Sequence, residues 1–305
     1  MKKILIFGVN GYLGGLSAAA LYFDGWQVDG VGTTKQVDKN LLNLVENYFQ
    51  IKSRISEINV TLSEYSHILF CISLDHNKSE IDYRYTIDIN CGILGDIIQV
   101  TKLKSKSTKI LYLSTMQVYK DQKFDSDITD PINIYGYTHL ACEGLLKLYG
   151  NATILRLSNV YGPQQTYRAN IGWTLIADLC KSIAKDNKIE IRNDGTAVRN
   201  FLFSEDFQKL LVNLISNSNQ KYMVYDVIGK TTSTVGSIKR ILQNIAYDKG
   251  KDISVKVPKN YVTSSEEQLI NFKPNLNKYG QKVFLVGKTE LFNGLRKTIE
   301  YYEEV

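Results

Sequence analysis

Three glycines near the start of the chain are spaced for close approach of a phosphate. Gly8, Gly11 and Gly14 stand as GxxGxxG in Gly8-Val9-Asn10-Gly11-Tyr12-Leu13-Gly14, directly after the apolar run Ile4-Leu5-Ile6-Phe7. The first glycine permits a tight turn, the second lets the backbone approach a pyrophosphate, and the third lets helix and strand pack closely. The helix that follows would aim free N–H groups and a partial positive charge at that pyrophosphate. The segment therefore predicts a dinucleotide site, with Gly8, Asn10, Gly11, Tyr12, Leu13 and Gly14 against the cofactor. The end of the second strand bears on which dinucleotide. NAD sites carry an acid there for the ribose hydroxyls, but here it reads Val31-Gly32-Thr33-Thr34-Lys35. Thr33, Thr34 and Lys35 can all donate to a 2′-phosphate, which predicts NADP, with NAD as the alternative.

These residues need a frame. Short runs rich in Ile and Leu at Lys3–Phe7, Gln27–Val31, His67–Ser73, Lys109–Ser114 and Thr153–Leu157 alternate with amphipathic stretches at Gly11–Phe23, Glu80–Leu103 and Gly136–Tyr149. That rhythm predicts an α/β fold, a doubly wound parallel Rossmann sheet with right-handed crossovers. Past residue 165 the rhythm loosens. The expected division is a Rossmann domain over 1–165, with 200–230 returning to the sheet, and a smaller C-terminal substrate-binding lobe from 166–199 and 231–305. Such a lobe would lie over the carboxyl ends of the strands, where ligands bind in open α/β sheets.

Two more segments extend the pattern. Lys109–Tyr119 reads KILYLSTMQVY, an apolar strand ending in Ser114-Thr115, and Pro131–Glu143 reads PINIYGYTHLACE, opening a helix. With the glycine motif, Arg156–Pro163 (RLSNVYGP) and Gly195–Asp206 (GTAVRNFLFSED), the chain resembles the extended short-chain dehydrogenase/reductase family of nucleotide-sugar epimerases, dehydratases and ketoreductases. The resemblance implies that Tyr135 is the acid/base and that the Thr115 hydroxyl meets the reacting sugar oxygen. It also implies that Cys71, Ile72, Ser73, Tyr135, His139 and Ser158 lie along the cofactor. Thr115, Met116, Gln117, Asn159 and Arg199 would then face a nucleotide-diphosphate sugar.

The chain departs from that pattern in three places. Four residues after Tyr135, one helical turn on, the family carries a Lys whose charge lowers the phenol pKa; this chain has His139. An ordinary His titrates near pH 6.5 and a Tyr near 10, so His139 would help a phenolate less. The residues after Thr115 are Met116 and Gln117 rather than the Asp–Glu pair of the family's 4,6-dehydratases, which argues against that reaction. Ser264–Gln268 lacks the family's second Arg. The expected function is NAD(P)-dependent reduction of a keto sugar. Epimerisation through a keto intermediate, or a catalytically impaired binding or assembly protein of the same fold, are the alternatives.

Composition closes off other classes. A net charge of +6, from 37 Lys and Arg against 31 Asp and Glu, is spread without long like-charge runs and predicts no nucleic-acid partner; an RNA-binding protein of the same fold is a third alternative, supported only by that modest charge. No stretch approaches a membrane span. Cys71, Cys91, Cys142 and Cys180 form no CxxC pair, which predicts free thiols in the cytoplasm and no metal site. A homodimer is expected on the helices after Cys91 and Tyr135, with Leu140, Leu145 and Leu146 supplying apolar stripes.

Overall fold

The computed structural model describes residues 2–104, 107–120, 128–166, 174–217, 221–262 and 283–305. In chain order the strands are β1 (Lys3–Phe7), β2 (Gln27–Gly32), β3 (Tyr48–Gln50), β4 (His67–Phe70), β5 (Lys109–Thr115), β6 (Ala152–Leu157), β7 (Asn159–Tyr161), β8 (Lys188–Glu190), β9 (Val198–Phe203), β10 (Tyr222–Ile228), β11 (Thr231–Thr234), β12 (Ser254–Lys256) and β13 (Val283–Val286). The helices are α1 (Tyr12–Phe23), α2 (His76–Ser79), α3 (Tyr83–Ile87), α4 (Ile93–Lys104), α5 (Ile134–Tyr149), α6 (Leu175–Asp186), α7 (Ser204–Asn217), α8 (Val235–Asp248) and α9 (Leu291–Glu304).

Eight strands form one parallel sheet in the order β13-β10-β6-β5-β4-β1-β2-β3. The fold is a doubly wound Rossmann-type α/β architecture. Side chains alternate along each strand, so Ile4 and Ile6 pack on one face with α1 and α7, while Leu5 and Phe7 pack on the other with α4 and α5. Both faces are thereby dry, as an all-parallel sheet requires. The chain reverses direction between β1 and β4, which leaves a crevice at their carboxyl ends. A smaller sheet, β11-β9-β7, and the pair β12-β8 join α6, α8 and α9 around Leu179, Ile183, Phe203, Leu242 and Leu295.

The long helix expected over Glu80–Leu103 is broken. After α3 the backbone makes one π turn at Asp88–Gly92 before α4. The turn has local work to do. Asn90 accepts from the Leu74 amide at 2.8 Å and donates to Thr138 Oγ1 at 3.0 Å, tying the β4 loop to α5. Leu146 is fully buried in the main core, Leu145 packs partly against it, and Leu140 packs on the cluster of Met116, Val118, Tyr119 and Ile228. Tyr83, Tyr85, Ile87, Tyr137 and Leu148 are the exposed apolar side chains of these helices. All four cysteines are free. Among the described residues no helix is long and apolar enough to cross a membrane.

Candidate active site

The glycine turn is shaped by what passes beside it. Gly8 adopts φ +87°, and a Cβ there would lie 3.1 Å from the Cys71 carbonyl carbon at the end of β4. Gly14 is tighter still, since its Cβ would fall 2.1 Å from the Gly8 carbonyl oxygen. Gly11 caps α1 with extended backbone and no side-chain acceptor, so the first amides of the helix are not covered by a cap. They open on a cleft of about 720 Å³ lined by Gly11–Gly14, Cys71, Ser73–Lys78, Gln117, Tyr135, Asn159, Arg199 and residues of the smaller lobe. Ser158 Oγ is buried without a partner at the end of β6. An uncapped helix N-terminus on a roomy cleft fits a dinucleotide, and the orphaned Ser158 hydroxyl stands next in sequence to Asn159 of the lining.

The second-strand end is organised differently from the simple donor set read in the sequence. A Cβ on Gly32 would lie 2.6 Å from Tyr48 Oη, so the tyrosine of β3 fills the space a side chain there would take. Tyr48 Oη donates to the Thr34 carbonyl at 2.8 Å. Asn10, buried, donates to Thr34 Oγ1 at 2.6 Å and accepts from the Asp38 amide at 2.9 Å. Thr34 Oγ1 also donates to the Gln36 carbonyl at 2.8 Å. Asn10 and Thr34 thus hold the loop rather than face the cleft, while Thr33 and Lys35 are exposed at the end of the second strand.

Tyr135 sits in the first turn of α5. Asn133 begins that helix, accepting from the Gly136 amide at 2.8 Å and donating to Gln117 Oε1 at 3.1 Å. A Cβ on Gly136 would lie 2.5 Å from the Gln117 carbonyl oxygen, so the helix start is pressed against the turn that follows β5. This brings the Thr115 hydroxyl to the Tyr135 phenol, with Ser73 on it too. Burial raises the phenol pKa above its usual value, Thr115 and Ser73 pull it back in part, and Asp75 adds to the rise.

His139 lies behind Tyr135, 2% exposed, with ring centroids 4.5 Å apart. Its Nδ1 is 2.6 Å from Tyr112 Oη, and its Nε2 is 3.2 Å from Ser73 Oγ. Burial drives its pKa down to about 3, so the ring is neutral across the physiological range.

One turn further, Glu143 accepts from Arg156 Nε at 3.0 Å, from Arg156 Nη2 at 2.6 Å and from Ser114 Oγ at 2.6 Å. Arg156 Nη1 donates to Tyr119 Oη at 2.6 Å, and that phenol donates to Asp226 at 2.7 Å.

Of the remaining sequence-derived residues, Gly8, Gly11, Tyr12, Leu13, Gly14, Cys71, Ser73, Gln117, Tyr135, Asn159 and Arg199 line or abut the cleft. Five are absent from its lining: Thr115 and Ser158, and the three that follow. Met116 is buried in its own small core because β5 ends in a 3-10 turn that points it inward. Ile72 packs on the main core, and His139 is screened by Tyr135 and Ser73. Ser264–Gln268 lies outside the described residues. Tyr112, Tyr48 and the Asp75–Lys78 rim went unread in the sequence. Tyr112 in particular looks like any core aromatic of a buried strand.

Known proteins share this design. The chain is 22% identical to the bifunctional polymyxin resistance protein ArnA of Wigglesworthia glossinidia brevipalpis, over 99% of its length and 51% of that protein's. It thus spans about half that relative. It is 24% identical to a UDP-glucuronate 4-epimerase of Thermodesulfobacterium geofontis over 100% of this chain and 97% of that one. The crystal structure of the UDP-glucose 4-epimerase of Thermotoga maritima with UDP-glucose superposes with a TM-score of 0.79 at 18% identity, covering 99% of both chains. Residues 4–227 match the NAD dependent epimerase/dehydratase family, and the chain belongs to that family.

Proposed function

We propose that this protein reduces the keto group of a nucleotide-diphosphate sugar with NADPH, Tyr135 donating the proton. The observation that carries this reading is a buried phenol beside a neutral His139, with Asp75 adding to the rise in its pKa. A neutral His139 stands where a cation would pull the phenol toward phenolate, and burial pushes the phenol pKa further up. A protonated Tyr135 is the form that reduction consumes, whereas an epimerase must begin by oxidising and needs the phenolate.

Gly11–Gly14 would hold the cofactor, which would supply hydride chemistry for the carbonyl carbon. Tyr135 Oη–H gives its proton to the carbonyl oxygen, with Thr115 Oγ1–H as the second donor to that oxygen. Asn159, Arg199 and Gln117, which also line the cleft, would grip the sugar and its diphosphate. The preference for NADPH rests on Gly32, where no carboxylate stands to repel a 2′-phosphate, and on the exposed Lys35 beside it. A homodimer through α3, α4 and α5 would cover Tyr83, Tyr85, Ile87 and Tyr137, and light scattering is expected to give twice the chain mass. The four free thiols suit a cytoplasmic setting.

The test is incubation with NADPH or NADH and a panel of 4-keto and 4-hydroxy nucleotide sugars. Stoichiometric loss of NADPH with a 4-keto sugar is expected. Inversion of a 4-hydroxy sugar without net cofactor loss would replace this reading with epimerisation. Tight nucleotide binding with neither reaction would favour a binding or assembly role.

A further inference from the structure

We propose that Tyr112 and Ser73 are positioning residues which, through His139, form a one-way chain of neutral hydrogen bonds ending on the Tyr135 oxygen and doing the work of a missing cation. This inference rests on the reductase reading for its purpose, but its geometry stands without it.

The direction of each bond follows from counting donors and acceptors. Tyr112 is 1% exposed and its phenol keeps its proton, so it must donate. Two acceptors are near: His139 Nδ1 at 2.6 Å and the Cys142 sulfur. Sulfur is the weak one, and the Cys142 thiol itself turns toward the Asn90 carbonyl at 3.1 Å. Tyr112 Oη–H therefore donates to Nδ1, and a neutral imidazole with a bare Nδ1 carries its proton on Nε2. Nε2–H then donates to Ser73 Oγ at 3.2 Å. That leaves the Ser73 hydroxyl proton pointing onward. In the resting structure it goes to the Leu74 carbonyl at 2.9 Å, and the Tyr135 phenol is the second acceptor within its reach.

As Tyr135 gives its proton to the substrate oxygen, its oxygen gains charge. Ser73 Oγ–H then swings from the Leu74 carbonyl to that oxygen. No proton crosses the chain; each donor keeps its own, and the phenolate is reprotonated from the cleft. Aligned hydrogen bonds polarise one another, so Tyr112, which never touches Tyr135, strengthens the last bond. The one-way order also matters. With Tyr112 unable to donate, Nδ1 is free to take the proton, Nε2 becomes an acceptor, and Ser73 turns away from Tyr135 toward the ring.

The chain contains three histidines, His67, His76 and His139, so nitrogen NMR of histidine-labelled protein can be assigned with one His139→Gln variant. The expected spectrum shows His139 neutral down to about pH 5, with bare Nδ1 and protonated Nε2. Tyr112→Phe is expected to convert it partly or wholly to the Nδ1–H tautomer, while Ser73→Ala leaves Nδ1 bare. An Nδ1–H tautomer in the unaltered protein, titration near pH 6.5, or an unchanged tautomer in Tyr112→Phe would each overturn the proposal. None of these readouts requires activity, so they decide the chain even if the reductase reading fails. In turnover, Tyr112→Phe is expected to lower kcat about tenfold with cofactor affinity unchanged, and Ser73→Ala to lower kcat as much, with Ser73→Thr restoring it. Loss of cofactor affinity in step with kcat in Tyr112→Phe, or no rescue by Thr at Ser73, would also count against it.

Discussion

Helix α5 carries two buried polar residues one turn apart, and their surroundings are built on opposite terms. At His139 every partner is neutral: Tyr112 on one nitrogen, Ser73 on the other. At Glu143 the partners are charged, with a bidentate Arg156, itself linked through Tyr119 to Asp226. Both clusters rest on the same strand, Tyr112 and Ser114 being two residues apart on β5 and so on one face. The same helix and strand therefore support a charged knot and an uncharged one. Burying a charge costs several kcal/mol unless a counter-charge is built in. Arg156, Ser114 and Asp226 stand in register across β6, β5 and β10; Arg156 supplies the counter-charge at Glu143 and Ser114 a further hydrogen bond. Among the described residues no charged side chain is hydrogen-bonded to His139, and burial keeps its ring neutral. The Tyr135 phenol lies at this end of the helix, where burial, with Asp75 adding, raises its pKa and keeps its proton on.

The contrast can be broken from either side. The largest effect is expected from Arg156→Leu, which strands Glu143 without its cation. Urea unfolding is expected to show a loss of about 3–5 kcal/mol. A loss under about 1 kcal/mol would place the knot among weak surface pairs. Tyr135→Phe acts at the other end and is expected to lower turnover at least about 100-fold, with nucleotide affinity within about twofold by fluorescence titration. Retained turnover would remove Tyr135 from the chemistry.

The neutral knot has its own signature in the pH dependence of stability. Unfolded His139 takes a proton near pH 6.5, whereas folded His139 does so only near about 3. Between those values the unfolded chain binds the extra proton, so folding stability rises with pH. This contribution is complete above pH 6.5 and is lost as pH falls toward 3. Compared with His139→Asn, the unaltered protein should lose about 1.4 kcal/mol more per pH unit below about pH 6. Parallel stability curves would mean that His139 charges freely. The smallest effect is at the end of the second strand, where Lys35→Glu is expected to weaken NADPH about tenfold and leave NADH nearly unchanged. Equal effects on both would move the 2′-phosphate elsewhere.

Local features were the legible ones. Gly8, Gly11 and Gly14 act within seven residues, and the apolar runs of β1, β4, β5 and β6 announce a dry sheet through their own composition. Tyr135 and Thr115 were reached through motif likeness, and the helix cap at Asn133 brings them together. What escaped depends on distant pairing. Tyr112 finds His139 across 27 positions and Tyr48 finds Thr34 across 14, and neither tyrosine differs in sequence from a packing residue. Met116 sits next to Thr115 in the chain, yet the 3-10 turn faces it into the core. The π turn at Asp88–Gly92 was hidden because its purpose, aiming Asn90 at Leu74 and Thr138, lies outside its own segment.

The central claim is that Tyr135 rests as a neutral phenol beside a neutral histidine. Carbon NMR of protein labelled at the tyrosine ring carbon bearing oxygen, with the Tyr135 signal identified by its loss in Tyr135→Phe, reads that state directly. The account predicts a phenol signal that does not titrate below about pH 10, the ordinary tyrosine value. A phenolate appearing with a midpoint between about pH 6 and 8, as for a tyrosine served by a cation, would contradict it.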